Sequence, residues 1–148
     1  MEGRQERKDY PSTDAEYLEA LALKIFRAGL DWRMVRKKWP DICRAFNNFE
    51  IKKVAGYSSH DVDRLMADKN IIRNRRKIEA TIHNAKAILD LVKEFGSVAA
   101  YVRTLDELGW ETLVKDMVKR FKHLGTNSAL HFLHSVGEGV PRPPERRK

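Results

Sequence analysis

The strongest constraint on the fold is the spacing of the apolar residues, which recur three and four positions apart along most of the chain. This period places them on one face of an α-helix. No segment alternates apolar and polar residues for long enough to predict a β-strand. The sequence therefore predicts an all-α protein, a compact bundle of several helices.

Residues typical of helix ends separate these segments. The candidates are Thr13 with Glu16, Asp31, Ser58 or Ser59, and Ser97 as N-caps, and Gly29 and Gly96 as stops. Pro40 predicts that one short helix ends there and another begins. A single domain is predicted at residues 13–137, between a flexible N-terminus at 1–12 and a disordered, proline-rich basic tail at 138–148.

The composition limits the kind of protein and the cellular compartment that can be expected. The 148 residues include one cysteine, Cys43, so a disulfide framework is excluded. No apolar run reaches the roughly 20 residues that span a bilayer, and the N-terminus lacks the apolar stretch of a signal peptide. We therefore predict a cytoplasmic protein outside the membrane.

Charge points to the partner. With 29 Lys and Arg against 21 Asp and Glu, the net charge is +8. This excess favours a polyanionic partner, nucleic acid first and an anionic membrane second. A merely soluble basic protein would fit the same net charge equally well. The positions of the basic residues along the sequence therefore have to distinguish these possibilities.

One basic cluster precedes a long helical pattern. Arg73, Arg75, Arg76 and Lys77 lie within five positions of one another. A helix N-terminus favours anions, so cations there cost some stability unless another group neutralises them. A phosphate backbone would supply that charge, whereas the alternative is a solvated surface turn.

The segment VKRFKHLGTNSALHFL contains a second predicted helix N-terminus with basic residues beside it. An amphipathic helix leads into Leu124 and Gly125, after which Thr126 and Asn127 open another helix. A glycine permits a tight turn and close approach of a ligand, and free amides at a helix start bind anions. With Lys119 and Lys122 beside it, this pattern predicts a helix-hairpin-helix that binds DNA phosphate, the alternative being an ordinary glycine C-cap.

Two longer segments, AGLDWRMVRKKWPDICRAFNNFEIKKVA and DVDRLMADKNIIRNRRKIEATIHNAKAIL, resemble the 3-methyladenine DNA glycosylase I family of the helix-hairpin-helix superfamily. The resemblance extends over about residues 13–137. It implies an all-α enzyme that extrudes a damaged base from duplex DNA and hydrolyses its N-glycosidic bond.

The resemblance also implies site residues. Trp32 would stack on the extruded base, although a tryptophan is more commonly a core residue. Gly29 and Leu30 would form the loop that enters the vacated gap. The predicted DNA-binding residues are Gly29, Leu30, Arg73, Arg75, Arg76, Lys77, Lys119, Lys122, Leu124, Gly125, Thr126 and Asn127.

Lys24 departs from the family pattern, because it falls where the family's pocket carboxylate usually lies. A charged lysine would repel a cationic alkylated purine, so Lys24 points away, is partnered by Glu19 or Asp31, or serves a different substrate. A buried amine could also form a Schiff base with the sugar. The sequence identifies no catalytic acid or base; Asp31 and Lys24 are the candidates for catalysis, and Lys24 joins Trp32 as a candidate pocket residue.

The family's typical zinc site uses Cys and His, yet neither end of this sequence has a cysteine. His131 and His134 share a helix face that could seat a metal, but packing or surface roles are commoner. We predict no metal and no cofactor. The N-terminal aromatic segment of longer relatives is reduced here, so one wall of the pocket is expected to be missing.

These observations predict a DNA glycosylase of base excision repair that acts as a monomer on alkylated purines in double-stranded DNA, in the cytoplasm and at the nucleoid. Lys24 and the short ends favour the alternative of an inactive relative that binds damaged or bent DNA. A helical RNA-binding module ranks third, because few aromatic residues look available for stacking on single strands.

Overall fold

The structure, a computed structural model, describes Pro11 and residues 13–136. The predictions for residues 1–12 and 138–148 therefore lie outside the described residues, apart from Pro11. Eight α-helices, one 3₁₀ turn and no strand occupy the described part. They are α1 Asp14–Arg27, α2 Trp32–Ala45, the 3₁₀ turn Asn47–Phe49, α3 Ile51–Ala55, α4 Ser59–Met66, α5 Arg75–Phe95, α6 Val98–Asp106, α7 Trp110–Arg120 and α8 Thr126–Ser135. The predicted all-α fold is confirmed.

The predicted helix ends are largely confirmed. Thr13 and Glu16 form a reciprocal capping box at the start of α1. Ser58 caps α4, and Ser97 caps α6. Gly96 ends α5 with φ +97°, a left-handed conformation that glycine adopts without steric cost.

The predicted break at Pro40 is wrong, because α2 continues through it. Proline lacks the N–H for one helical hydrogen bond and its ring crowds the preceding turn, which normally kinks or ends a helix. Here Val35, Ile42 and Phe46 lie on one stripe on both sides of the proline and are all fully buried. Burial of this continuous stripe offsets the lost bond.

An aromatic cluster joins α1 and α2 to the following turn. Phe49 stacks between Trp39 and Phe46, and Phe26 meets both Trp39 and Phe46 edge-on. The 3₁₀ turn that carries Phe49 is left-handed, with φ between 54° and 58° at all three residues. Such a conformation costs energy for non-glycine residues and persists only where packing enforces it.

The long helix α5 is the centre of the molecule and packs against α1, α3, α4 and α6. Most of its buried residues are apolar, but Lys77, Thr81 and Asn84 are buried too. They are the only buried polar side chains among the described residues. Their spacing of four and then three places them on one face of α5, here called the polar stripe.

A second polar group joins α6 to α7. Asp116 accepts hydrogen bonds from the Tyr101 hydroxyl and from Arg120 Nε, the latter at 2.9 Å. The Arg120 guanidinium lies 5.2 Å from the Tyr101 ring centroid and 3.8 Å from a Glu94 carboxylate oxygen. This network fixes the last turn of α7, which leads into the predicted hairpin.

Candidate nucleic-acid interface

The loop between α1 and α2 and the first turn of α2 present apolar side chains to solvent. Ala28 ends α1, Gly29 adopts φ +77°, and the Asp31 carboxylate caps α2 by accepting the Arg33 N–H at 2.9 Å. Leu30, Trp32 and Met34 are each close to 38 % exposed, among only four exposed large hydrophobic residues in the described part. Because they follow one another at alternate positions, these side chains are candidates for contact with a partner.

Trp32 is therefore not a core residue, and the alternative of core packing is wrong. Its ring lies under the guanidinium of Arg27, whose Cζ is 4.4 Å from the ring centroid. An arginine stacked on an indole is attracted by the negative face of the ring. One face of the exposed indole is thus covered by Arg27.

The run from Arg73 to Lys77 divides into exposed and buried residues. Arg73, Arg75 and Arg76 are exposed, as predicted for residues that contact a phosphate backbone. Arg75 also lies 3.5 Å from Asp63 and 3.6 Å from Glu79. Exposed ion pairs of this kind are weak, so they neutralise the cluster only in part.

The prediction that Lys77 faces a phosphate backbone is wrong. The side chain is only 6 % exposed. Its Nζ donates hydrogen bonds to the backbone oxygens of Phe26 at 3.0 Å and Ala28 at 2.8 Å. Burial lowers the pKa of Lys77. The residue holds the end of α1 to the first turn of α5.

Residues 121–125 connect α7 to α8 and are the segment predicted to form a hairpin, here called the hairpin. Phe121 and Leu124 are buried and anchor it, so the Leu124 side chain is not available to DNA. Lys119, Lys122 and residues 125–127 are exposed. The buried Asn84 amide accepts the Lys122 N–H at 2.8 Å and donates to the Lys122 carbonyl at 3.2 Å. These two bonds attach the hairpin to α5.

The residue that turns the hairpin is His123, with φ +63°, and not Gly125, which has an ordinary negative φ. Gly125 leaves open space instead, since a side chain there would meet no atom within 4 Å. No side chain caps α8. The first amides of α8 therefore have no side-chain acceptor, an arrangement that leaves them available to an anion.

The hairpin and the start of α5 lie next to each other. Burial and the nearby positive charges of Arg76 and Lys77 lower the pKa of His123. Arg76 therefore lies within electrostatic reach of the hairpin, while Lys77 reaches the loop that carries Leu30. The apolar loop, the exposed arginines and the hairpin all adjoin the N-terminal half of α5.

Comparison with known proteins identifies the family. Residues 9–126 match the sequence profile of the methyladenine glycosylase family. DNA-3-methyladenine glycosylase 1 of Escherichia coli (strain K12) is 32 % identical over 147 aligned positions, which cover 86 % of this chain and 79 % of the relative. The chain belongs to the methyladenine glycosylase family.

Solved structures of methyladenine glycosylases share this fold. The Staphylococcus aureus 3-methyladenine DNA glycosylase I superposes with a TM-score of 0.73 at 29 % identity, covering 93 % of this chain and 87 % of that one. A variant of 3-methyladenine DNA glycosylase I in complex with 3-methyladenine gives a TM-score of 0.75 at 26 % identity, covering 97 % and 93 %.

Lys24, which the resemblance to the family places where a pocket carboxylate is expected, lies on α1. It is half-buried and lines a cleft of about 390 Å³ between α1 and α8, together with Arg27 and His131. Glu19 accepts hydrogen bonds from the Trp39 indole at 3.0 Å and the Cys43 thiol at 3.6 Å. Arg27 connects the cleft to Trp32, because it belongs to the cleft wall and covers the indole.

The described residues do not fit the zinc site that the resemblance implies. Among the described residues no three His, Cys, Asp or Glu side chains converge. Burial, followed by the charge of Glu19, raises the pKa of the Cys43 thiol to about 12, which disfavours a metal-binding thiolate. His131 and His134 are exposed on α8.

None of the helices in the described range is long and apolar enough to cross a bilayer.

Three features of this candidate interface were not predicted from the sequence. Met34 adds an exposed apolar side chain on α2, Arg27 covers Trp32, and α2 also carries the exposed Arg33 and Arg36. The basic residues were visible as a run on the same helix as Trp32. The stacking of Arg27 required the loop conformation and had no signal in the sequence.

Proposed function

We propose that this protein is a DNA glycosylase of base excision repair, which extrudes an alkylated purine such as 3-methyladenine from duplex DNA and hydrolyses its N-glycosidic bond. Family membership supports the reaction class. The observation that carries the proposal is the exposed loop, where Leu30 and Trp32 project beside a basic surface. Exposed apolar side chains beside exposed cations suit a partner that offers both bases and phosphates.

Base extrusion would give a role to each of the three exposed apolar residues Leu30, Trp32 and Met34. Unstacking a base costs a few kcal/mol, and less for a damaged base. Leu30 would fill the vacated gap and recover part of the lost stacking. Trp32 would receive the purine on the face that Arg27 leaves uncovered, or after Arg27 moves aside. Leu30 would thus act as a wedge between neighbouring bases, and Met34, which is equally exposed, would widen that wedge.

The DNA backbone would be bound by the basic surface around α5. We assign phosphate contacts to Arg73, Arg75 and Arg76, and to the open amides of residues 125–127 as a helix-hairpin-helix. Lys119 and Lys122 would add charge beside the hairpin. Such contacts orient the duplex without reading its sequence. The domain at residues 13–137 would act as a monomer on double-stranded DNA, in the cytoplasm and at the nucleoid.

The chemistry demands little acid catalysis. An N3-alkylated adenine is cationic, so cleavage of the C1′–N bond sends its electron pair to the base, which leaves neutral. The oxocarbenium-like sugar then adds water, whose proton must be removed. Asp31 is the carboxylate nearest the loop and the candidate for this step, although one of its oxygens already caps α2. Lys24 remains a second candidate, through a Schiff base with the sugar.

Release of free base tests the proposal directly. Duplex DNA treated with a methylating agent is incubated with the protein, and free 3-methyladenine is followed by chromatography against a protein-free control. Release above that background is expected. If the duplex is bound but no base appears at high protein concentration, the protein is an inactive relative that only binds DNA, an alternative that its family membership does not favour.

The lyase variant has a separate test. Borohydride reduces a Schiff base to a stable crosslink, so abasic DNA is incubated with the wild-type protein and with Lys24→Ala. A crosslink that the alanine variant loses would assign the nucleophile to Lys24. No crosslink in the wild type would leave direct hydrolysis by water.

A further inference from the structure

The polar stripe of α5 contacts both parts of the proposed interface. At its N-terminal end, the Lys77 ammonium binds the carbonyls of Phe26 and Ala28, immediately before Gly29 and Leu30. At its other end, the Asn84 amide binds the backbone of the hairpin. Between them Thr81 donates its hydroxyl to the Lys77 carbonyl at 2.9 Å and stays within α5.

Lys77 performs a task that a cap normally performs. The last carbonyls of a helix have no partner within it and carry partial negative charge. In α1 the Lys77 ammonium satisfies those of Phe26 and Ala28 at the point where the chain turns into the loop. Burying an ammonium is costly, and an apolar side chain of similar length would avoid that cost. The ammonium therefore indicates a need to hold the loop in place.

Lys77 and Asn84 are separated by seven residues, or about 10 Å along a rigid helix. Each makes two hydrogen bonds to backbone atoms of a different segment. The position of the loop relative to the hairpin is thereby determined by α5. A wedge and a phosphate contact must have a defined separation to engage one duplex together.

We propose that the polar stripe is a positioning element, in which Lys77 holds the Leu30–Trp32 loop in register with the hairpin that Asn84 holds. This inference rests on the proposed function. Lys77 is then a positioning residue and not a phosphate contact, since its side chain is buried and its ammonium already has two acceptors.

Three variants test the inference. Lys77→Met keeps the length of the side chain but removes the ammonium, and Lys77→Arg keeps a charged donor in a different shape. Lys86→Met removes a lysine from an exposed position of the same helix and is the matched control. Three quantities are measured: single-turnover release of 3-methyladenine at saturating protein, affinity for undamaged duplex, and the rate of tryptic cleavage after the exposed Arg27.

For Lys77→Met we expect release to slow by about 10- to 100-fold, the effect of a displacement near 1 Å at the site. Duplex affinity should stay within about threefold of wild type, since the exposed arginines and the hairpin are intact. Trypsin should cleave after Arg27 faster. Lys77→Arg should lie between Lys77→Met and wild type in both rates, and Lys86→Met should match wild type.

Release from Lys77→Met equal to that from Lys86→Met would overturn the inference. So would a loss of duplex affinity as large as the loss of release, because Lys77 would then act through DNA binding. If Lys77→Met does not fold, wild-type release and wild-type tryptic cleavage in Lys77→Arg would overturn it. If the wild type itself releases no base, the proposed function fails, and the tryptic rates still test whether Lys77 holds the loop.

Discussion

Replacing Asn84 by alanine would measure how strongly the hairpin is held to α5. The Asn84 side chain is fully buried, and both of its hydrogen bonds go to the backbone of Lys122. A net hydrogen bond contributes about 1 kcal/mol, and a buried group left without a partner costs more. With two bonds and a small void, we expect the free energy of unfolding to fall by about 2–3 kcal/mol.

The substitution Asn84→Asp separates the two bonds. An aspartate has the same size and still accepts the Lys122 N–H, but its carboxylate repels the Lys122 carbonyl. Burial raises the pKa of such a carboxyl group, and the protonated form can donate again. Asn84→Asp should therefore be less stable than Asn84→Ala at pH 7 and should gain stability relative to Asn84→Ala as the pH falls.

Equilibrium unfolding in urea, followed by circular dichroism, gives these free energies. Asn70→Ala is the control, because Asn70 is exposed and its replacement should change stability by less than about 0.5 kcal/mol. A change equally small in Asn84→Ala would refute the reasoning. So would aspartate and alanine variants of equal stability at every pH, since the carbonyl would then not sense the charge.

Three further predictions concern the interface and its support. Trp32→Ala should leave stability within about 1 kcal/mol but slow single-turnover base release at least about tenfold; an unchanged rate would exclude stacking on this indole. Arg75→Glu and Arg76→Glu should each reduce the slope of log affinity against log salt by about one, measured by binding titrations. Burial raises the pKa of Asp116, but hydrogen bonds from Arg120 and Tyr101 outweigh it and hold that pKa below its usual value. The stability this contributes should be present above about pH 4 and lost as the pH falls further, and Asp116→Asn should remove that part of the pH dependence of the urea midpoint.

The helices could be predicted because their signals are local. Caps at Thr13, Asp31 and Ser97 and the stop at Gly96 each depend on a few neighbouring residues, and the structure has all four. The predicted helix break at Pro40 was wrong because the local effect of the proline is offset by burial along the whole of α2. That burial depends on tertiary contacts, which local rules do not contain.

The site was harder to predict because a run of like charges does not tell which side of a helix each member occupies. Lys77 belongs to the run by position but to the buried side by its spacing from Thr81 and Asn84. That spacing was readable in the sequence. The left-handed turn at His123 and the open space above Gly125 were not, because both follow from how the hairpin docks on α5.

The stacking of Arg27 on Trp32 makes the fluorescence of this tryptophan sensitive to the charge of a quencher. A guanidinium 4.4 Å from the centroid of an exposed indole concentrates anions around that ring and repels cations. Iodide should therefore quench this tryptophan more efficiently than caesium, while Trp39 and Trp110, both partly buried, respond less to either. Bound DNA would shield the ring from iodide, so a loss of iodide quenching would report binding without any added label.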